Sequence, residues 1–319
     1  MAALEQDSPP TGPSDSQPQD QPPAPTAALP RRGFRDLTKR ALTAAVLLGI
    51  ALAAVWAGGL IFTLLVFAAL ALLLWEWADM ALPFPDRTDK IVGTVGMTAL
   101  LAGALLFMLP GILGLGALPN APLWVFGLGV ATAWAASFRL RWPRTLTPGA
   151  EQVHASIGDL LNYYKWATWF APAIVAVLWL RHGHGAELVI WLFIVIWATD
   201  IGAYVVGRVV GGPKLAPAIS PGKTWSGAVG GLAIATAAGV LAGIALGSPD
   251  IAQTAWIALL LAVIGMIGDL AQSAFKRAAG VKDSGSLLPG HGGVFDRLDS
   301  LLAALPLYAV LIWAGKSPL

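Results

Sequence analysis

The chain has 319 residues, of which 56% are hydrophobic and 12% charged, with a formal net charge of +2. A water-facing domain carries about 25% charged residues, so this composition excludes an ordinary soluble fold. The small net charge leaves no electrostatic footprint for nucleic acid, and the absence of cysteine excludes disulfides, thiolate metal sites and cysteine nucleophiles.

Residues 1–30 are rich in Pro, Gln, Ser, Asp and Ala and hold no apolar run. Such a segment cannot bury enough surface to offset its conformational entropy, which predicts a disordered tail. It lacks the basic start and early apolar core of a signal peptide. Beyond it, nine apolar runs approach the length of about 20 residues that a bilayer crossing needs. They cover about 41–57, 60–79, 91–110, 119–138, 166–180, 187–207, 226–246, 252–272 and 298–315. In lipid each segment must satisfy its own backbone polar groups. The expected fold is therefore all-α, a polytopic membrane protein with about nine transmembrane helices. Gly58-Gly59 predicts a tight hairpin between the first two spans, and the short fifth run contains Pro172. Trp75, Glu76, Trp77 and Asp79 close the second span; the tryptophans read as interfacial anchors and the acids as solvated. The chain divides into the tail, a set of N-terminal spans over 31–180, and a C-terminal catalytic region over 181–319.

Basic residues set the orientation. Arg31, Arg32, Arg35, Lys39 and Arg40 precede the first span, which places the N-terminus in the cytoplasm. Nine spans then put Arg87 and Lys90, Arg139, Arg141, Arg144 and Lys165, Arg208, Lys214 and Lys223, and Lys276, Arg277, Lys282 and Arg297 on the same side. Only Arg181 and Lys316 fall outside. The expectation is a multi-pass protein of the cell (inner) membrane with its active site on the cytoplasmic face.

The last quarter of the chain breaks the membrane pattern. From Gly268 to Asp299 it reads GDLAQSAFKRAAGVKDSGSLLPGHGGVFDRLD, with acids and bases crowded between two apolar spans. If the eighth helix continues past its apolar run, Asp269, Ser273, Lys276 and Arg277 share one face at i, i+4, i+7 and i+8. Ionisable residues at a span end that face the bundle mark a functional site. Glycines around His291 let backbone amides approach an anion. Carboxylates with oxygen-only surroundings suit Mg²⁺, which takes one or two of them together with substrate phosphates, and the neighbouring lysines and arginines suit the phosphates. The alternative is a salt-bridged loop with no chemistry. Two further features face the same side: the intramembrane Asp200, and Ser220-Pro-Gly-Lys-Thr224 with its two hydroxyls and ammonium. The latter resembles the end of a nucleotide-binding P-loop but has Pro217 where the first glycine belongs, and no parallel sheet is expected around it. His182 and His184 alternate in a short outer loop without a third ligand nearby, so they read as solvated.

At these residues the chain resembles the phosphatidate cytidylyltransferase family, the CDP-diacylglycerol synthases. The family signature is matched at Ser273, Phe275, Lys276, Arg277, Lys282, Asp283, Gly285, Leu288, Pro289, His291, Gly292, Gly293, Val294, Asp296, Arg297, Leu298 and Asp299. Asp200, Ala203, Tyr204 and the Ser220–Thr224 stretch extend the resemblance over about 185–315, with Ser226 standing where the family often has Glu or Gln. The resemblance implies that CTP and phosphatidate react to CDP-diacylglycerol and pyrophosphate, with Mg²⁺, room for a second cation, and a homodimer in the bilayer. It places metal on Asp269 and Asp296; Asp299 and Asp200 are further candidates that the resemblance does not itself supply. Catalytic contacts then fall on Asp269, Asp296, Lys276, Arg277, Lys282 and His291, and substrate contacts on Ser220, Lys223, Thr224, Ser273, Asp283 and Arg297. Two other readings stay open: a CTP-dependent transferase acting on another lipid phosphate or polyprenol, and a secondary transporter. The transporter would show related half-repeats and polar groups near the midplane, whereas these charges gather on one side.

Overall fold

The computed structural model describes residues 34–81, 91, 94–96, 98, 170–285, 287 and 292–319. The tail 1–30, most of the expected third span, the expected fourth span and His291 lie outside the described residues.

Seven helices fall on the remaining expected spans: α1 (Phe34–Ala57), α2 (Gly59–Ala81), α3 (Ala171–His184), α4 (Ala186–Val210), α5 (Trp225–Ala245), α6 (Ile251–Ala278) and α7 (Phe295–Trp313). Among the described helices, α2, α4, α5 and α6 are each long and apolar enough to cross a membrane. The protein is thus a multi-pass membrane protein. The α1–α2 turn is the expected glycine hairpin: Gly58 and Gly59 have φ of 63° and 51°, where a side chain would be strained. Arg181 closes this end by donating to the carbonyls of Val55 and Trp56 at the end of α1. Helix α3 is short and starts with Pro172 in its first turn, where the missing N–H costs nothing.

The core forms where α2, α3, α4, α6 and α7 meet, with Trp191, Leu70, Leu73, Leu178, Phe295 and Tyr308 fully buried. Helix α5 contributes differently. Its buried residues are Gly227, Gly231, Ala235, Gly239 and Gly243, one small residue per turn. This stripe lets it lie close against α4 and α6, since helices in lipid gain by close packing more than by hydrophobic exclusion. The indole of Trp191 donates to the Gly239 carbonyl at 2.8 Å across that seam.

One element departs from the all-α expectation. Between α4 and α5 the chain forms a small antiparallel hairpin, β1 (Lys214–Ala216) with β2 (Ser220–Thr224), paired at Lys214 with Thr224 and at Ala216 with Ser220. Short extended segments of this kind carry too few residues for an alternation to show.

Candidate active site

Helix α6 is 28 residues long and continues well past its apolar run, carrying Asp269, Ser273, Lys276 and Arg277 with it. The unbroken helix keeps all four on one arc, and the Ser273 hydroxyl donates to Asp269 Oδ1 at 3.5 Å. One turn later the side chains diverge. Lys276 is buried and turns to α7, where its Nζ meets Asp296 Oδ1 at 2.7 Å. Arg277, about 100° further round the helix, turns outward and donates to the carbonyls of Ile219 in the hairpin and Val281 after α6. It ties the hairpin to the loop that follows.

The hairpin brings Lys223 to α6, where its ammonium pairs with Asp269 Oδ2. Ser220 opens β2 and is half-buried. Thr224 is buried and its hydroxyl is engaged as the N-cap of α5, accepting the Gly227 amide at 3.1 Å. Ser226, the departure from the family pattern, donates to the Gly211 carbonyl and so fastens the end of α4 to the start of α5.

Three carboxylates from three helices lie within range of one another's charge: Asp200 on α4, Asp269 on α6 and Asp299 on α7, with the charges of Lys223 and Arg297 felt at Asp200 and that of Lys276 at Asp299. Close approach of α6 and α7 makes this possible. A Cβ at Gly268 would collide with Ala303 and lie 3.1 Å from the Asp299 carbonyl oxygen. Gln272, one turn on, donates to that same carbonyl at 3.2 Å.

Asp296 lies in the first turn of α7, ahead of the apolar run. Its Oδ2 accepts the amides of Gly293 at 3.0 Å and Ser284 at 2.9 Å. Burial opposes its charge, but the Lys276 ammonium and these two amides outweigh burial and hold its carboxyl below the usual carboxylate range. Lys282 and Asp283 are exposed in the loop after α6, and Arg297 is exposed on α7.

At the opposite end, His182 shares a hydrogen bond with the Thr63 hydroxyl at 3.1 Å and packs on Phe62. Burial and then Arg181 lower its pKa. His184 lies against the Trp179 ring. His182 is thus engaged with α2 rather than free in solvent.

Glu76 joins the site against the expectation of solvated acids at the end of α2, which holds for the exposed Asp79. Glu76 is instead 1% exposed and accepts hydrogen bonds from the residues that lead into α7. The signal for it is an acid flanked by Trp75 and Trp77 on a helix whose one other charged residue is Asp79.

Among known proteins, the model of the cytidylyltransferase family matches residues 38–314. A phosphatidate cytidylyltransferase of Brucella suis biovar 1 is 38% identical over 274 residues, 85% of this chain and 92% of that protein. One from Pseudomonas aeruginosa is 35% identical over 88% of this chain and 98% of its own length. One from Staphylococcus saprophyticus is 33% identical over 86% of this chain and 98% of its own. With a family match across both the N-terminal helices and the charged site, and with relatives of nearly full length, the chain belongs to the cytidylyltransferase family.

Proposed function

We propose that the chain is a phosphatidate cytidylyltransferase, converting CTP and phosphatidate to CDP-diacylglycerol and pyrophosphate at the cytoplasmic face of the cell (inner) membrane. As a cytidylyltransferase it is a nucleotidyltransferase. The observation that carries the site is the pairing of Asp269 with Lys223 and of Asp296 with Lys276 at the C-terminal end of α6, with Asp200 and Asp299 within range of the Asp269 charge. A structural membrane protein gains nothing from gathering like charges there.

The nucleophile is a phosphate oxygen of the lipid, anionic near neutral pH, so no general base is required. It attacks the α-phosphorus of CTP in line. The new bond joins lipid oxygen to that phosphorus, and the bond to the β-phosphate breaks, releasing pyrophosphate. The difficulty is to bring two polyanions together and to stabilise the charge growing on the leaving group. Lys223, Lys276, Arg277, Lys282 and Arg297 supply positive charge, with Ser220, Ser273, Asp283 and His291 completing the substrate-contacting set, while the Thr224 hydroxyl serves as the α5 N-cap. The acyl chains remain in the bilayer.

The donor set fits Mg²⁺. Among the described residues no three acids or histidines form a ready-made cage, and Mg²⁺ is commonly held by one or two carboxylates plus substrate phosphates. Asp269 and Asp296 would hold it, with Asp299 and Asp200 as further ligands or as the seat of a second cation. Asp296 Oδ2 accepts two amides and Oδ1 the Lys276 ammonium. When bound, Mg²⁺ neutralises charge on the phosphates. We further propose that the protein acts as a homodimer.

The test incubates purified protein in detergent with labelled CTP, phosphatidate and Mg²⁺. A lipid-extractable cytidine product with equimolar pyrophosphate is expected. No product across phosphatidates of varied chain length would refute the acceptor, and product with another lipid phosphate would reassign it. Asp269→Asn and Asp296→Asn should each abolish turnover in protein that still inserts.

A further inference from the structure

Helix α7 starts without a cap of its own. Its N-cap residue is Val294, whose side chain accepts nothing. The first amides of a helix have no partner within it and must find one elsewhere. Here the partner comes from α2. Glu76 Oε1 accepts the Val294 amide at 2.8 Å, and Oε2 accepts the Phe295 amide at 2.9 Å and the Ser284 hydroxyl at 2.8 Å. A carboxylate at a helix N-terminus also meets the positive end of its dipole. The backbone closes around this group: a Cβ at Gly285 would lie 3.1 Å from Glu76 Oε1, and one at Gly293 would collide with Glu76 and with Ser284. The next residue, Trp77, is 4% exposed. Its ring lies 5.9 Å from Phe295 on α7 and 6.2 Å from Phe275 on α6, centre to centre.

The same short segment builds the reacting site. Ser284 donates its hydroxyl to Glu76 and its amide to Asp296. The amides of Gly293, Val294 and Phe295 are divided between the two carboxylates, the first to Asp296 and the other two to Glu76. Asp296 then holds Lys276 at 2.7 Å. Glu76 thus clamps both ends of the loop whose backbone orients Asp296.

We propose that Glu76 is a positioning residue for cytidylyl transfer: by capping α7 from another helix, it fixes Asp296 and Lys276 where the phosphates react. The inference rests on the assignment of Asp296 and Lys276 to the site. Glu76→Gln isolates it, because an amide has one acceptor oxygen. In either orientation its NH₂ faces the Val294 or the Phe295 amide, and one helix-start donor loses its partner.

The experiment measures kcat and both KM values per folded molecule, on full-length protein from the monodisperse fraction in detergent. For Glu76→Gln, a misplaced reacting group predicts kcat lower by about 100-fold, with KM for CTP and phosphatidate within about threefold of wild type. Glu76→Asp keeps the acceptor charge and should recover part of that loss. A kcat per folded molecule equal to wild type would overturn the proposal, as would a loss confined to KM. If Glu76→Gln does not accumulate, Ser284→Ala carries the test, with kcat expected to fall about tenfold; an unchanged kcat overturns the proposal. Asp296→Asn serves as the reference. If it retains turnover, the underlying site assignment fails; if it is inactive while Glu76→Gln matches wild type, only the positioning role fails.

Discussion

Lys276→Met separates what the Lys276–Asp296 pair does for stability from what it does for turnover. The two side chains are 11% and 8% exposed and meet at 2.7 Å. Removing one partner of a buried pair costs about 3–5 kcal/mol, because the other charge is left without compensation. Asp296 keeps the amides of Ser284 and Gly293, so the expected loss lies at the lower end, about 3 kcal/mol. Asp296→Asn added to Lys276→Met removes the stranded charge. About 2 kcal/mol of the loss should return, seen as strong non-additivity in a double-mutant cycle. Turnover should not return. An ammonium aimed at charge that develops in the transition state contributes on the order of 10²–10³ in kcat, and the double variant lacks it. Thermal unfolding in detergent reads the first quantity, and formation of lipid-extractable cytidine product reads the second. Recovery of turnover together with stability would show that the pair is structural. Wild-type stability in Lys276→Met would show that Asp296 needs no counter-charge, and would refute the reasoning from burial.

Three further perturbations test other parts of the site. Gly268→Ala places a methyl against Ala303 and beside the Asp299 carbonyl; parting α6 from α7 should lower kcat by about tenfold or more, and Ala303→Gly in the same chain should recover part of it. Thr224→Ala removes the α5 N-cap and should cost about 1 kcal/mol of stability with little change in KM, whereas Lys223→Ala should raise KM for CTP, so equal effects on KM would refute the division of roles in β2. Removal of divalent cations with a chelator should abolish product formation and added Mg²⁺ should restore it; full activity in excess chelator would exclude the proposed ion.

Much of the C-terminal region was legible because helical periodicity and bilayer length are strong constraints. The apolar runs at 187–207, 226–246 and 252–272 coincide with α4, α5 and α6. The Asp269–Ser273 contact follows from four-residue spacing on a continuing helix. A shared arc of the helix does not fix what Lys276 and Arg277 reach. Adjacent helix residues point in different directions, and what each side chain reaches depends on neighbours the sequence does not reveal: α7 for Lys276, the hairpin for Arg277. The hairpin was illegible for a related reason. Ser220–Thr224 reads as an anion loop by composition, but its pairing partner Lys214–Ala216 is three residues long and carries no pattern.

Glu76 shows where local reading stops. An acid near the end of an apolar helix is ordinarily solvated, and the neighbouring Asp79 is exposed as that rule requires. What reverses the rule for Glu76 is a set of donors more than 200 residues away in the chain: the Ser284 hydroxyl and the amides of Val294 and Phe295. Two of the three are backbone groups, which every sequence supplies, so no residue type advertises them. The need for them was visible only from the other side. Val294 cannot cap α7, and a buried helix start without a partner is costly. A helix that begins at a reacting site with an apolar residue at its N-cap therefore calls for an acceptor from elsewhere. In an apolar protein the few buried acids, here Glu76, are where to look for it.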